Sequence, residues 1–222
     1  MKKIVLTIAF VVLGATAIIA QERDQDRIQD QDRTKLVMVN GEMLEVRERA
    51  HLRLQNDVTL NDGTVVSVDG TYLTKDKDRL RLKDGQCLDN DGIMYRNEYQ
   101  YRYKIQQESK GLNEAQVQER NQNRVHYMLV DGEMVQIRNQ SQNRLQQKLN
   151  LDNGTTVNPD GSYQTREGKK LQLREGECLN MEGEMFKNTY QHRKMVNKKT
   201  TMKKKVQKKP KIQKKINKKG TK

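Results

Sequence analysis

The chain has 222 residues, 33% of them hydrophobic, with no Trp and two Phe, which excludes a large aromatic core. Its net charge of +14 lies at one end, because the stretch from Lys194 to Lys222 contains 14 lysines and no acidic residue. Of the 43 Lys and Arg, 29 remain for the rest of the chain, where they balance the 29 Asp and Glu. A nucleic-acid-binding surface spread over the folded part is therefore not expected.

The N-terminus has the pattern of an export signal. Lys2 and Lys3 precede an apolar run over residues 4–13, small residues follow, and cleavage is predicted after Ala20. Residues 1–20 are therefore predicted to be a signal peptide, and the mature protein is expected to be periplasmic or extracellular, without a transmembrane span. No Cys lies near the cleavage point, so no lipid anchor is expected. A retained N-terminal anchor helix is the alternative.

Residues 21–34 follow as a polar arm. The segment mixes Arg, Asp and Gln, and Ile28 is the one apolar residue between positions 21 and 33. Since such a segment cannot bury enough apolar surface to offset the entropy cost of ordering, we expect it to be disordered.

The following sequence occurs twice, at a fixed offset of 91 residues and without a gap. Gly41-Glu42-Met43 recurs as Gly132-Glu133-Met134, and Gly85-Gln86-Cys87-Leu88 recurs as Gly176-Glu177-Cys178-Leu179. A duplication of this kind indicates two copies of one structural unit. The copies are module 1, residues 35–105, and module 2, residues 125–196.

Each module has the pattern of short antiparallel strands joined by tight turns. In module 1, Leu80-Arg81-Leu82 alternates apolar and basic residues, which is the period of a half-buried strand. Asn40-Gly41 and Asp62-Gly63 are dipeptides that supply the positive φ angles of two-residue hairpin turns. The alternating stretch Tyr99–Ile105 is predicted to close the module as a further strand. The expected fold class is all-β, with two tandem small antiparallel β-meander modules.

Two polar segments lie outside the modules. Residues 106–124, rich in Gln, Glu and Asn, are predicted to form a linker that is either coil or a weak helix. Residues 197–222 repeat Lys-Lys around isolated apolar residues, so like charges repel and no core can form. We therefore predict a disordered Lys-rich tail.

Cys87 and Cys178 occupy the same place in both modules. In an exported chain, a disulfide between two such cysteines is possible, provided that their Cα atoms approach within ~7 Å. Separately buried thiols that act as small apolar core residues are the favoured interpretation.

A metal site is a further hypothesis, because thiolate and thioether ligands suit cuprous copper. Methionine is kept at two equivalent positions in each copy, which gives four methionines that accompany the paired cysteines. Close Met pairs and Cys-x-x-Cys spacing are absent from the sequence, and Met is also a common core residue, so the core role is favoured. The candidate ligands are Cys87, Cys178, Met43, Met94, Met134 and Met185.

No catalytic pattern is present in the sequence. His51 aligns with Gln142 and His192 aligns with Tyr101, so these histidines are not shared by the two modules. The sequence contains no Gly-x-Ser-x-Gly elbow, no His-Glu-x-x-His motif and no phosphate-binding loop. We therefore expect no enzymatic activity and no cofactor.

The lysine-rich tail is the predicted contact surface. A purely basic segment attracts polyanions without sequence specificity and with strong salt dependence. In a cell envelope the expected partners are anionic lipid headgroups or anionic polysaccharide, and specific nucleic-acid binding is not expected. The candidate contact residues are Lys203, Lys204, Lys205, Lys208, Lys209, Lys211, Lys214 and Lys215.

Both modules resemble a family of uncharacterised domains in exported bacterial proteins. The resemblance lies in Asn/Asp-Gly-x-Met, then Leu-x-Asp/Asn-Gly-Thr-x-Val-x-x-Asp-Gly-x-Tyr, then Leu-x-Leu-x-x-Gly-x-Cys-Leu-x-x-x-Gly-x-Met. It implies a small β-rich module and a secretion signal, and it implies no activity.

The sequence thus predicts an exported, non-enzymatic, envelope-associated binding or structural protein whose basic tail contacts an anionic surface. Periplasmic handling of cuprous copper through the paired Cys and Met residues is the alternative. The oligomeric state and the packing of the two modules are left open.

Overall fold

The structure is a computed structural model that describes residues 33–207, with side chains as far as residue 199. The predicted signal peptide, the predicted arm up to residue 32 and residues 208–222 lie outside the described residues. The expectations for those segments stay predictions.

The first element of each module is a long hairpin, formed by β1 and β2 in module 1 and by β9 and β10 in module 2. The turn residues Asn40 and Gly41 have φ angles of 52° and 73°, and Asp131 and Gly132 have 52° and 74°. Two successive positive φ angles define the two-residue turn that matches the twist of a hairpin, and Asn, Asp and Gly tolerate them best. The predicted two-residue turn is confirmed at Asn40-Gly41 and Asp131-Gly132, whereas at Asp62-Gly63 only Gly63 has a positive φ, of 90°. The strands are β1 Thr34–Val39, β2 Glu42–Arg53, β9 Val125–Val130 and β10 Glu133–Arg144.

These hairpins form the centre of an eight-stranded antiparallel sheet in the order β16-β15-β1-β2-β10-β9-β7-β8. The outer strands are β7 Cys87–Asp89, β8 Met94–Tyr95, β15 Cys178–Asn180 and β16 Met185–Phe186. The order reads the same from both ends when each strand is replaced by its counterpart 91 residues away. The sheet therefore has a pseudo-two-fold axis between β2 and β10.

The rest of each module is a small four-stranded antiparallel meander, as predicted. The strands of module 1 are β3 Val58–Thr59, β4 Val65–Val66, β5 Thr71–Leu73 and β6 Arg79–Arg81. Those of module 2 are β11 Leu149–Asn150, β12 Thr156–Val157, β13 Ser162–Gln164 and β14 Lys170–Gln172. The mostly-β class and the tandem duplication are thus confirmed.

The two modules exchange strands. Strand β1 of module 1 pairs with β15 of module 2 through Val37 and Cys178, and β9 of module 2 pairs with β7 of module 1 through Met128 and Cys87. Each N-terminal hairpin is therefore joined to the outer strands of the other module. The sequence repeat does not coincide with a separate structural domain.

The packing of the apolar residues follows this exchange. One core packs Leu36 and Met43 of module 1 against Val157 and Leu179 of module 2, and another packs Val66 and Leu88 of module 1 against Leu129 and Met134 of module 2. Two further cores on the opposite face are mixed in the same way. All four cores thus combine the hairpin of one module with the remaining strands of the other.

The stretch predicted as a strand at Tyr99–Ile105 is helical instead, within α1, Glu98–Glu108. The side chain of Asn97 caps this helix by accepting a hydrogen bond from the backbone N–H of Gln100 at 3.0 Å. Tyr101 and Ile105 are four residues apart, so a helix buries both on one face. The strand prediction was wrong because residues 101 and 105 lie on the same face of a strand and also on the same face of a helix, so their spacing fits both structures.

The linker and the beginning of the tail are also helical. Helix α2, Glu114–Gln122, starts at a reciprocal capping box between Asn113 and Gln116, so the helical form of the predicted linker is the one observed. Helix α3, Thr189–Gln207, runs into the segment predicted to be disordered from residue 197. Its first turns are fixed in the core by Arg193 and Val196, and extending an existing helix costs far less than starting one. Among the described residues, no helix is long and apolar enough to span a membrane.

Candidate functional site

A buried group of charged side chains lies where the two modules meet. We call Lys35, Glu48, Glu98, Arg102 and Arg193 the ion network; each is at most 2% exposed. Glu48 is on β2, and its Cα partner on β10 is Asn139, which is also its counterpart in the repeat. The ion network therefore lies at the pseudo-two-fold axis, beside an irregularity in the β2–β10 pairing.

Arg193, on α3, holds the two carboxylates together. Its Nη1 and Nη2 donate to Oε2 and Oε1 of Glu48 at 2.9 and 2.6 Å. Its Nε and Nη2 donate to Oε2 and Oε1 of Glu98 at 2.8 and 2.6 Å. Both interactions are bidentate, which is the strongest geometry available to an arginine and a carboxylate. An arginine of module 2 thus binds two carboxylates of module 1.

Arg102 is the counterpart of Arg193 and approaches from α1. Its Nη2 donates to Glu98 at 2.8 Å and to Glu48 at 3.2 Å. Its Nη1 donates to Oδ1 of Asn139 at 3.0 Å and to Oε1 of Gln142 at 3.2 Å, both on β10. The partners that each arginine has in the other module therefore differ. Arg193 binds two carboxylates there, whereas Arg102 binds two neutral amides.

The network contains three basic groups and two carboxylates. Lys35 donates from Nζ to Glu48 at 2.5 Å. Burial lowers the pKa of Lys35, and the nearby Arg193 charge lowers it further. Burial alone would raise the pKa values of Glu48 and Glu98, but the charges of Arg193, Arg102 and Lys35 and the hydrogen bonds from Arg193 together hold both well below their usual range. The lowered pKa values keep both carboxylates in the ionised form that pairs with the basic groups.

Three histidines surround the ion network. Burial lowers the pKa of His51 to about 3 and holds the pKa values of His126 and His192 well below the usual value. His126 packs on the ring of Tyr101 with 4.4 Å between the ring centroids, and its Nε2 is 3.8 Å from Oε1 of Glu98. Both ring nitrogens of His126 and of His192 lack a hydrogen-bond partner among the described residues. His126 and His192 are therefore part of the core, and His51 is half-buried beside it.

The possible disulfide is not formed, because Cys87 and Cys178 are buried free thiols. They lie on β7 and β15, which are five strand spacings apart in the sheet. At about 4.8 Å for each spacing the separation is on the order of 20 Å, far beyond the ~7 Å limit between bonded cysteines. Burial raises the pKa of Cys178 to about 12 and raises that of Cys87 as well. The favoured interpretation, separately buried thiols, is the one observed.

The candidate copper ligands are not brought together. Cys87, Cys178, Met43 and Met134 belong to four different apolar cores, and Met94 and Met185 are 43% and 47% exposed on the outermost strands. Within the described part of the chain, no group of three or more His, Cys, Asp or Glu is arranged to hold a metal ion. The copper hypothesis gains no support from this geometry.

The predicted polyanion contacts divide between helix and undescribed chain. Lys203, Lys204 and Lys205 lie on the last turns of α3. Lys208, Lys209, Lys211, Lys214 and Lys215 lie outside the described residues. The basic segment therefore begins as a continuation of a helix that is anchored in the body.

A surface cleft of about 530 Å³ lies between the α1–α2 connection and the ends of β2 and β10. Glu42 accepts from Nη1 of Arg144 at 3.0 Å and from Nε2 of Gln106 at 2.6 Å. Gln142 lines the cleft and also contacts Arg102, so one amide separates the ion network from this surface. The polar groups named here are paired with one another.

The comparisons with known proteins concern the two repeats. A protein-family model described as "Domain of unknown function (DUF6799)" matches residues 33–94 and 124–185, which together are more than half of the chain. The chain belongs to this family. No curated protein and no solved structure matches the chain. The recognition of an uncharacterised domain present in two copies is thereby confirmed.

The matched ranges of the DUF6799 domain end before the helices that complete the ion network. Both ranges stop at the first residue of β8 or β16, so Glu98, Arg102 and Arg193 lie outside them. The ion network was not predicted from the sequence, although Arg102 and Arg193 are equivalent arginines in the two copies. An arginine kept in both copies, four residues after Glu98 in one of them, was the available signal.

Proposed function

We propose that this DUF6799 protein is an exported, non-enzymatic binding or structural protein, and that its lysine-rich C-terminal segment holds it on an anionic surface of the cell envelope. The observation that carries the proposal is the separation of charge: the last 29 residues contain 14 lysines and no acidic residue, and the rest of the chain is neutral. A segment of this composition is an electrostatic contact surface with little sequence selectivity.

The attachment of the basic segment supports this role. Helix α3 is fixed to the body by the buried Arg193 and Val196 and by an ion pair between Lys194 and Asp131 at 2.6 Å. Lys199, one and a half turns further along, contacts Glu182 at 3.2 Å. The lysines that follow are therefore presented from a fixed point on the body. Binding of the tail would place the body at the surface in a limited range of orientations.

The chemistry of the buried groups supports a non-enzymatic role. Strongly shifted pKa values often mark catalytic residues, but they also occur in structural ion networks. Here Glu48 and Glu98 are paired with Arg193 and Arg102 in the core, at most 2% exposed, and the shifts follow from those pairs. The two shifted carboxylates therefore face their arginine partners inside the core.

The proposal is tested by retention of the full-length mature protein on vesicles. The variant carries Lys→Gln at all eight lysines after residue 207, namely Lys208, Lys209, Lys211, Lys214, Lys215, Lys218, Lys219 and Lys222. Because each lysine near an anionic bilayer contributes about 1 kcal/mol, this variant is expected to lose retention on phosphatidylglycerol vesicles at low salt. The same protein with Lys→Arg at these eight positions keeps the charge and is expected to bind like the wild type.

Equal retention of the Lys→Gln variant and the wild type would contradict the proposal. Parallel columns of a phosphate-bearing polysaccharide and of a neutral polysaccharide separate a lipid from a carbohydrate surface. Rising salt is expected to release the protein in both cases, since the contact depends on counterion release.

Export is tested independently by the N-terminus of the protein recovered from its own cells. Cleavage after Ala20 predicts a mature chain that begins at Gln21. A full-length chain in the cytoplasmic fraction would overturn this part of the proposal.

A further inference from the structure

The two modules have an interface that neither could complete alone. All four apolar cores contain residues of both modules, and each hairpin forms sheet bonds with the outer strands of the other. The ion network adds a polar requirement to this shared core. The ion network is the part of the interface that tolerates loss of a partner least, because a buried charge without a partner is strongly destabilising.

The polar requirement is different for the two modules. Module 1 supplies both carboxylates of the network, Glu48 and Glu98. The corresponding residues 91 positions later are Asn139 and Thr189, which are buried but neutral. The basic position is kept, as Arg102 and Arg193. Module 2 therefore carries a buried arginine whose counter-charges all belong to module 1.

We propose that this interface joins module 1 only to module 2, and that the unequal placement of the buried carboxylates decides the pairing. The partner can come from the same chain or from a second copy of it. The proposal is independent of the function suggested for the tail.

The two self-pairings are disfavoured for different reasons. In a pair of module 2 with itself, the pseudo-two-fold geometry would place two buried Arg193 side chains beside Asn139 and Thr189, without any carboxylate. In a pair of module 1 with itself, Glu48 would face a second Glu48 across the axis, at the position that Asn139 now occupies. Like charges directly opposite each other on paired strands are destabilising. The pairing of unlike modules avoids both arrangements.

The proposal is tested with the full chain carrying a protease site in the α1–α2 loop, between Ser109 and Asn113. Cleavage of the folded protein yields two pieces, one for each module. The cleaved protein is unfolded in urea, refolded by dilution and examined by native mass spectrometry. We expect complexes of one module 1 piece with one module 2 piece. Self-pairs of either piece at comparable abundance would overturn the proposal.

Substitutions in the same cleaved chain test the carboxylates. Glu48→Asn leaves Arg193 with one carboxylate and is expected to weaken association of the pieces about 100-fold or more. Glu45→Asn is the matched control on the same strand, because Glu45 forms an exposed ion pair with Arg47. A change of less than about fivefold is expected there.

The double variant Glu48→Asn/Asn139→Glu moves the carboxylate across the axis to the side of Arg102, whose Nη1 is 3.0 Å from Asn139 Oδ1. We expect it to recover at least tenfold of the lost affinity, which a purely steric effect of Glu48→Asn would not allow. Equal effects of Glu48→Asn and Glu45→Asn, or no recovery in the double variant, would refute the role of the carboxylates. The refolding experiment on the unsubstituted chain decides the pairing even if a variant fails to fold.

Discussion

Acidification from pH 7.5 to pH 5.5 is expected to remove a large part of the stability of this protein through the half-buried His51 and the buried His126 and His192. The pKa of His51 lies at about 3 in the folded state, and those of His126 and His192 lie well below the usual value. In the unfolded chain all three return to about 6.5. The unfolded state therefore binds protons first, and stability that is fully present above pH 6.5 is lost as the pH falls below it.

The magnitude follows from the unfolded-state pKa. At pH 5.5, one unit below 6.5, each histidine that stays neutral in the folded state costs about 1.4 kcal/mol. Three such histidines lower the free energy of unfolding by about 4 kcal/mol, against a typical total of about 5 to 15 kcal/mol. Glu48 and Glu98 contribute little in this interval, because even unfolded glutamates, with a pKa of about 4.3, remain ionised at pH 5.5.

The assay is urea unfolding followed by far-ultraviolet circular dichroism at both pH values, since the chain has no Trp. His51→Gln is the matched variant, because the counterpart on the other hairpin is Gln142. This variant is expected to lose about one third of the pH dependence. A change in the free energy of unfolding below about 1 kcal/mol between the two pH values, or an unaltered dependence in His51→Gln, would refute the reasoning.

Three further predictions concern the buried thiols, a helix cap and a turn. Cys87 and Cys178 are buried with raised pKa values, so a thiol reagent should label both only after unfolding, and rapid labelling of the native protein would contradict this. Asn97→Ala removes the cap of α1 and should lower the free energy of unfolding by about 1 kcal/mol, while an unchanged urea midpoint would show that the cap is dispensable. Gly92→Ala combines a φ of +76° with a new Cβ that would contact the Asp62 carboxylate, so its melting temperature should fall by several degrees, and an unaffected melting curve would contradict the turn geometry.

The local structure was predictable where a residue type has a single conformational use. Asn40-Gly41 and Asp131-Gly132 adopt the positive φ angles that the hairpin requires, and few other dipeptides would do so at little cost. The number of modules was also predictable, because the duplication is visible directly in the identical residues of the two copies.

The strand at Tyr99–Ile105 was predicted wrongly because its apolar spacing is ambiguous. Residues 101 and 105 suit one face of a helix as well as alternate positions of a strand. Asn97 resolves the ambiguity, since its side chain caps a helix and has no comparable role in a strand. Asn188 caps α3 in the same way by accepting from Gln191 at 3.0 Å, so the cap was a repeated signal.

The strand exchange could not be predicted from strand patterns. The Gly-x-Cys-Leu segment occurs in both copies, so β1 is equally suited to pair with β7 of its own module or with β15 of the other. Which of the two strands β1 pairs with depends on how the long strands β2 and β10 pair at the axis and on the residues that meet there. Such a choice depends on contacts between residues far apart in sequence, which local propensity does not encode.

The ion network was overlooked for a related reason, which lies in how residues that differ between the two copies were interpreted. A residue present in one copy was taken to be unimportant to the module, and this excluded His51 and His192 as candidate site residues. At a pseudo-two-fold axis, however, corresponding residues face each other, and an exact repeat would place Glu48 opposite a second Glu. Replacing one of the two by Asn139 removes that repulsion and leaves an acceptor for Arg102. The differences between the copies at these positions therefore make the two modules complementary. The two arginines, Arg102 and Arg193, are the same in both copies and supply the positive charge on each side.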